Sequence, residues 1–137
     1  MDECIRTGSF QDLRVWQRSI ELVTAIYKVT KQFPRDEIYA LTSQIRRAAV
    51  SVSSNIAEGH GRGTTREFAM FLRNANGSLK EVETQLIVAQ RLGFVTKENT
   101  SSTELIVQDV GRMLHGLIKY QTNRSQTASR PRETGNG

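Results

Sequence analysis

Two polar faces on neighbouring helical segments are the places in this sequence where charged side chains could be arranged for chemistry. Between residues 44 and 62, polar residues recur every three or four positions beside an apolar face, which places them on one side of a helix. These residues are Arg47, Ser51, Ser54 and Glu58. The following segment carries a second, nearly all polar face with the same spacing, made of Glu67, Phe71, Asn74, Ser78, Glu81 and Gln85.

If both polar faces are buried between helices, their charges must pair, because an unpaired buried charge is strongly destabilising. The sequence therefore predicts an ion pair between Arg47 and either Glu81 or Glu58. The hydroxyl and amide groups that complete the predicted structural network belong to Ser51, Ser54, Asn55 and Ser78. Such a network fixes the register of two helices more than it adds stability. The alternative is that the polar faces line a subunit interface or the bore of an oligomer.

The positive charge of the chain indicates a second kind of chemistry, the binding of phosphate groups. The formal net charge is +5 and the isoelectric point is about 9.8. Arginines outnumber lysines, and arginine favours bidentate phosphate contacts as well as structural ion pairs. The candidate nucleic-acid contacts are the cations outside the apolar faces of the second and third segments. They are Arg46, Arg62, Arg66, Arg73 and Lys80.

The glycine-rich turn at residues 59–63 does not match a phosphate-binding loop of the Walker type, which requires Gly-Lys-Ser/Thr after a strand. It precedes a helix start flanked by His60, Arg62 and Arg66, which leaves an anion site there as an alternative to a simple turn.

Catalytic and metal sites are not indicated. With one cysteine, Cys4, the chain can form neither an internal disulfide nor a multi-cysteine zinc site. The two histidines, His60 and His115, lack any repeated ligand spacing and form no Glu-x-x-His pair of the di-iron type. We therefore expect a protein that is not an enzyme and uses no metal or cofactor.

Helical periodicity places these residues on four predicted helices. Their expected ranges are about 11–32, 36–59, 64–92, and from between 97 and 102 to about 122. The apolar face predicted for the first helix comprises Leu13, Trp16, Ile20, Val23, Tyr27 and Thr30, and Ile26 and Val29 widen it. Because a short turn joins the second and third helices, we expect them to be antiparallel neighbours.

Capping residues mark the predicted helix ends. Thr64 and Glu67 fit a capping box at the start of the third helix. Gly59 and Gly93 are expected to end the second and third helices in the left-handed conformation. In the fourth helix, Gly111 and Gly116 predict a close approach to another helix, since glycine is otherwise unfavourable there.

Three ranges divide the chain: a mobile lead at 1–8, one bundle domain at 9–122 and a disordered basic tail at 123–137. The first residues have no apolar core of a signal peptide, and no apolar run approaches membrane-spanning length. We therefore expect a cytoplasmic protein that does not enter a membrane.

The sequence resembles the 23S rRNA intervening-sequence protein family over about residues 10–120. The matching segments are FQDL at 10–13, VWQ at 15–17, FP at 33–34, QIRRAA at 44–49, SNIAEG at 54–59, GSL at 77–79 and ETQL at 83–86. The resemblance implies an all-α, antiparallel up-down four-helix bundle assembled into a homo-pentameric ring, and it implies no enzyme activity. A related branch serves as the accessory variability determinant of diversity-generating retroelements, which binds a reverse transcriptase and its template RNA.

Charge and resemblance together predict a non-enzymatic, oligomeric protein that binds structured RNA or another nucleic acid through a basic surface. Its expected partners are copies of itself and RNA. One alternative is the retroelement accessory role, with a reverse transcriptase as a further partner. Another is a protein-interaction scaffold that binds no nucleic acid, in which the positive charge sets solubility and favours acidic partners.

Overall fold

Four α-helices and two short 3-10 turns make up residues 8–129, the part of the chain that the computed structural model describes. The helices are α1 (Arg14–Thr30), α2 (Leu41–His60), α3 (Thr65–Arg91) and α4 (Lys97–Ser129). The 3-10 turns are Phe10–Asp12 and Arg35–Glu37, and they precede α1 and α2 respectively. No strand occurs within the described residues, which confirms the predicted all-α class.

The core lies where the four helices meet. Both α1 and α3 pack against α2 and α4, so each helix has two neighbours. Side chains with almost no exposed surface come from all four helices and include Leu22, Ile26, Ile45, Ile56, Leu72, Leu79 and Leu114. Each such residue stabilises the fold by roughly 1.5–3 kcal/mol relative to leaving it exposed. None of the helices within this part of the chain is both long and apolar enough to cross a lipid bilayer.

The buried face of α1 is rotated from the predicted one. Its buried residues are Val15, Ser19, Leu22, Ile26, Val29 and Thr30, whereas Tyr27 remains 42% exposed. A polar residue sits in the middle of this face, because the Ser19 hydroxyl lies 2.8 Å from that of Ser53 on α2. Burial of Ser19 breaks the apolar period, and the sequence pattern therefore indicated a neighbouring face.

Gly59 does not end α2 in the left-handed conformation, and that prediction is wrong. The helix continues to His60, and Gly61 caps it with φ −79°. Glycine is required at position 59 by packing instead, since a Cβ there would lie 2.5 Å from the Phe71 Cβ on α3. Gly59 therefore lies at a close approach of α2 to α3.

Both predicted caps of α3 are present. At its start, the Thr64 hydroxyl oxygen accepts the Glu67 N–H at 3.1 Å. At its end, Gly93 has φ +77°, and the Phe94 N–H donates to the Ala89 carbonyl at 2.9 Å. The Phe94 ring then packs against Phe33, with 5.7 Å between ring centroids. This is the Schellman arrangement, in which the residue after the glycine adds an apolar contact.

The fourth helix extends beyond the predicted boundary at residue 122, so residues 123–129 are helical rather than part of a disordered tail. Gln121 is fully buried, and Arg73 on α3 donates to the Thr122 hydroxyl at 2.8 Å. These contacts hold the helix where the sequence no longer shows apolar periodicity. Residues 1–7, including Cys4, and residues 130–137 lie outside the described part of the chain.

Close helix packing does not explain the two glycines of α4. A Cβ at Gly111 would make an ordinary 3.5 Å contact with Leu79, and a Cβ at Gly116 would meet nothing within 4 Å. The structure does not explain why residue 116 is a glycine.

Candidate nucleic-acid interface

The predicted polar network is formed in part, at the contact of α2 with α3. The hydroxyls of Ser51 and Ser78 lie 2.8 Å apart. The Asn55 amide donates to the Ser51 carbonyl at 2.9 Å and to its hydroxyl at 3.1 Å. These three residues link the two helices at one level and use only uncharged groups.

The charged members predicted for this network are not part of it. Glu58 forms an ion pair with Arg62 at 2.9 Å, one turn along the chain. Within the described residues, Arg47 and Glu81 have no ion-pair partner, and both are exposed, as is Ser54. The predicted pairing of Arg47 with Glu58 or Glu81 is therefore wrong. The side chains of Arg47 and Glu81 are exposed to water, so neither charge requires a partner within the protein.

Two of the five predicted nucleic-acid contacts, Arg46 and Arg62, are each held by a polar contact and an aromatic ring within the protein. Arg46 donates its Nε–H to the Thr30 hydroxyl at 2.8 Å and lies over the Tyr27 ring, 4.5 Å from its centroid. Arg62 is paired with Glu58 and lies 5.0 Å from the centroid of the Phe71 ring. Arg46 therefore belongs to the α1–α2 contact, and Arg62 belongs to the end of α2.

The other three share the outer face of α3. Arg66, Arg73 and Lys80 are separated by seven residues, which places neighbouring cations about 10 Å apart along the helix. Exposed positions at intervals of three or four continue this face, and they are Arg66, Met70, Arg73, Gly77, Lys80, Thr84, Ile87 and Arg91. The face holds four cations and no carboxylate over about 37 Å. We call Arg66, Arg73, Lys80 and Arg91 the α3 basic face.

Carboxylates border this face without covering it. Lys80 lies 3.4 Å from Glu83, in an exposed pair of the kind that contributes little stability. The guanidinium of Arg73 is directed to Thr122, and Arg66 has no ion-pair partner among the described residues. Among the described residues, two cations of the α3 basic face, Arg66 and Arg91, therefore have no ion-pair partner, and Arg73 and Lys80 each keep unused N–H groups for an anionic partner.

Packing of α3 against α4 adds basic residues that sequence reasoning missed. Thr122 is bonded to Arg73, and the exposed Lys119 and His115 lie one and two turns before Thr122 on the same side of α4. Arg91 was also missed, although its spacing of eleven from Lys80 places it on the same helix face. The position of Lys119 could not be found from spacing, because it depends on how α4 packs.

A further charged contact lies on the side of α4 that faces α1. Arg18 on α1 donates to Asp109 at 2.7 Å, and Arg112 also pairs with this carboxylate. The hydrogen bond from Arg18 is the main reason that the pKa of Asp109 is lowered, and the same bond raises the pKa of Arg18. This pair links α1 to α4 and is a structural contact.

At the anion site considered for the glycine-rich turn, most of the groups that could bind an anion already have partners within the protein. The Thr64 oxygen already accepts the Glu67 N–H, and the Glu67 carboxylate lies 3.3 Å from the Thr64 hydroxyl. Arg62 is engaged by Glu58. A carboxylate thus occupies the start of α3, where an incoming anion would have to bind.

Comparison with known proteins gives a family and a fold. The family model of the 23S rRNA-intervening sequence protein matches residues 11–116. A crystal structure of a protein with unknown function from the S23 ribosomal protein family of Bacteroides thetaiotaomicron is similar, with 24% identity and a TM-score of 0.71. The match covers 77% of this chain and 98% of that one. A search of curated proteins finds no match.

Proposed function

This chain belongs to the 23S rRNA-intervening sequence protein family, and we propose that it is a non-enzymatic cytoplasmic protein that binds structured RNA through the α3 basic face. The observation that carries the proposal is the exposed row of four cations without a carboxylate on the outer side of α3. Lys119 and His115 extend the same surface onto α4. A continuous positive surface of this kind attracts the phosphate backbone.

The proposed mechanism is contact with phosphates rather than with bases. Guanidinium and ammonium groups bind phosphate oxygens and release condensed counterions, so affinity falls as salt rises. Four such contacts predict a slope of about −3 to −4 when log K is plotted against log salt concentration. Contacts to phosphates carry little sequence information, and we expect weak discrimination between RNA sequences.

We further propose an antiparallel up-down order of the helices. It is supported by contacts that pair early residues of one helix with late residues of the next. Residues 19 and 30 of α1 contact residues 53 and 46 of α2, and residues 51 and 59 of α2 contact residues 78 and 71 of α3.

A homo-oligomer, with the pentameric ring as the specific hypothesis, is proposed from exposed apolar side chains. Leu92 is 59% exposed and Leu105 is 60% exposed, near the junction of α3 and α4. Burial of these side chains between subunits would remove apolar surface from water. A ring would also present several α3 basic faces to one RNA, which raises the overall affinity without new contacts.

The test is fluorescence anisotropy with a structured RNA and a matched DNA duplex over a salt series. We expect the wild-type protein to bind RNA with a steep salt dependence. The variant Arg66→Glu/Arg73→Glu/Lys80→Glu should lose most of this affinity. The matched control is Arg14→Glu/Lys28→Glu/Lys31→Glu, which changes the net charge equally at exposed positions on α1 and directly after it. RNA binding that survives the triple reversal would rule out the α3 basic face.

The protein scaffold remains the second candidate function, and a specific observation favours it. Tyr39, in the connection before α2, is 94% exposed, and exposed tyrosines are common at protein interfaces. Absence of RNA binding at low salt would favour this role. The retroelement accessory role stays a prediction, which co-purification with a reverse transcriptase would test.

A further inference from the structure

A depression of about 570 Å³ opens on the outer side of α2 and extends from the start of this helix to Ser54. Its polar wall comes from Thr42, Ser43, Arg46 and Arg47, and its apolar wall comes from Tyr27 and Ile38. We call these six residues the α2 groove. The lining holds two arginines and no carboxylate. This volume lies in the range of sites that hold small molecules.

The start of α2, which borders the groove, leaves backbone donors unused. Ala40 provides no side-chain cap. The Leu41 N–H donates to the Glu37 carboxylate at 3.2 Å, and the Gln44 N–H donates to the Ala40 carbonyl. Between them, the N–H groups of Thr42 and Ser43 have no acceptor among the described residues. Free N–H groups at a helix start attract anions.

A second, independent observation comes from the Thr42 side chain. Thr42 is only 2% exposed, and its hydroxyl has no hydrogen-bond partner among the described residues. A buried hydroxyl without a partner is unfavourable and is uncommon in folded proteins. Thr42 lines the groove, and a rotation of its side chain would bring the buried hydroxyl within reach of a bound anion.

The guanidinium of Arg46 is held in position beside these donors. Its Nε–H bonds to the Thr30 hydroxyl at 2.8 Å, and its plane lies over the Tyr27 ring. Thr30 in turn donates to the Ile26 carbonyl at 2.7 Å, which fixes the acceptor. The remaining N–H groups of Arg46 have no acceptor among residues 8–129. Arg47 follows directly and is exposed without an ion pair in the same part of the chain.

We infer that the α2 groove binds a phosphate monoester. Two guanidinium groups, two backbone N–H groups and the Thr42 hydroxyl supply the donors for its oxygens, and Tyr27 and Ile38 leave an apolar wall for the group attached to it. The groove contains none of the cations of the α3 basic face, so this inference does not depend on the proposed RNA surface. The phosphate could come from a free small molecule or from the 5′ end of an RNA.

The test is calorimetric titration of the full chain with inorganic phosphate and with adenosine monophosphate at constant ionic strength. We expect one saturable site per chain, with a Kd of about 1 mM or tighter for the nucleotide. Arg47→Gln should weaken binding about tenfold, because it removes a charge-assisted hydrogen bond. Arg14→Gln is the matched control, at an exposed position on α1 outside both proposed surfaces, and it should bind as the wild type does.

The variant Thr42→Val shows whether the unpartnered hydroxyl binds a ligand or is only an unfavourable feature of the packing. The substitution removes the unpartnered hydroxyl at similar volume, so we expect the Tm without ligand to rise by about 3–5 °C. Phosphate affinity should nevertheless fall. Glu37→Gln keeps the acceptor for the Leu41 N–H but removes a negative charge, and it should tighten binding. Unchanged affinity in both Arg47→Gln and Thr42→Val, or no saturation, would overturn the inference.

The source of the phosphate is resolved by comparing an RNA that carries a 5′ phosphate with the same RNA ending in a 5′ hydroxyl. A preference for the phosphorylated end that Thr42→Val abolishes indicates an RNA terminus. Equal binding of both RNAs, together with saturable nucleotide binding, indicates a free small molecule.

Discussion

Gly59 and Phe71 are in such close contact that a methyl group on Gly59 would lie 2.5 Å from the Phe71 Cβ. We predict that Gly59→Ala destabilises the protein by about 1–2 kcal/mol, because overpacking costs more than the gain in helix propensity. Urea denaturation measures this difference. Gly116→Ala is the control, since its Cβ would meet nothing within 4 Å, and it should stabilise by up to about 1 kcal/mol. A stabilised Gly59→Ala protein would contradict the packing argument.

The Ser19–Ser53 hydrogen bond predicts unequal effects of two similar substitutions. Ser19 donates to the Trp16 carbonyl at 2.6 Å, so Ser53 is the donor in the 2.8 Å contact. Ser19→Ala leaves the buried Ser53 hydroxyl without this acceptor and should cost about 1–3 kcal/mol. Ser53→Ala should cost less, because Ser19 keeps its bond to Trp16. Equal losses in thermal or chemical unfolding would show that the assigned direction is wrong.

Gln121 offers a stabilising substitution. It is fully buried, and both polar atoms of its amide lack partners among the described residues. Gln121→Met keeps a long unbranched side chain and removes both unpaired groups, so we expect stability to rise by about 1–3 kcal/mol. A lower Tm for this variant would indicate that the amide is hydrogen-bonded in solution.

The Arg18–Asp109 pair makes stability depend on pH in the acidic range. The pKa of Asp109 is lowered in the folded protein, mainly by the hydrogen bond from Arg18. Its stabilising contribution is therefore present above the ordinary aspartate pKa of about 4 and is lost as pH falls through the lowered value. Asp109→Asn should be less stable than the wild type at pH 7. The difference should shrink as the pH falls below about 4, as urea titrations at several pH values would show. A constant difference would contradict this linkage.

Substitutions of Arg46 and of Arg73 should have different effects on stability and RNA binding, although the sequence predicts that both residues contact RNA. Arg46 is held by Thr30 and Tyr27, so Arg46→Gln should lower the Tm with little effect on the affinity for an RNA that ends in a 5′ hydroxyl. Arg73 lies on the α3 basic face, and Arg73→Gln should reduce the salt slope of RNA binding by about 1. Paired thermal and anisotropy measurements on both variants test this. An RNA defect confined to Arg46→Gln would move the interface to the α1–α2 side.

The sequence by itself determined the four helices and several of their ends. Periodicity reports which residues share a helix face, and caps such as Thr64 with Glu67 or Gly93 with Phe94 involve residues within about five positions of each other. Because these caps involve only residues that are close in the chain, the sequence is sufficient to predict them. The spacing of Arg66, Arg73 and Lys80 was equally readable, because it follows from one helix alone.

The tertiary structure decided the features that depend on two helices. Gly59 is needed because of Phe71, Glu58 pairs with Arg62 and leaves Arg47 facing water, and α4 continues past residue 122. The sequence predicted that Arg46 is a surface cation, whereas the structure places its guanidinium beside Thr30 and Tyr27. The physical reason is that contacts between helices depend on the rotation of each helix about its axis and on its distance from its neighbours. A buried polar residue such as Ser19 changes that rotation without leaving an apolar signal in the sequence.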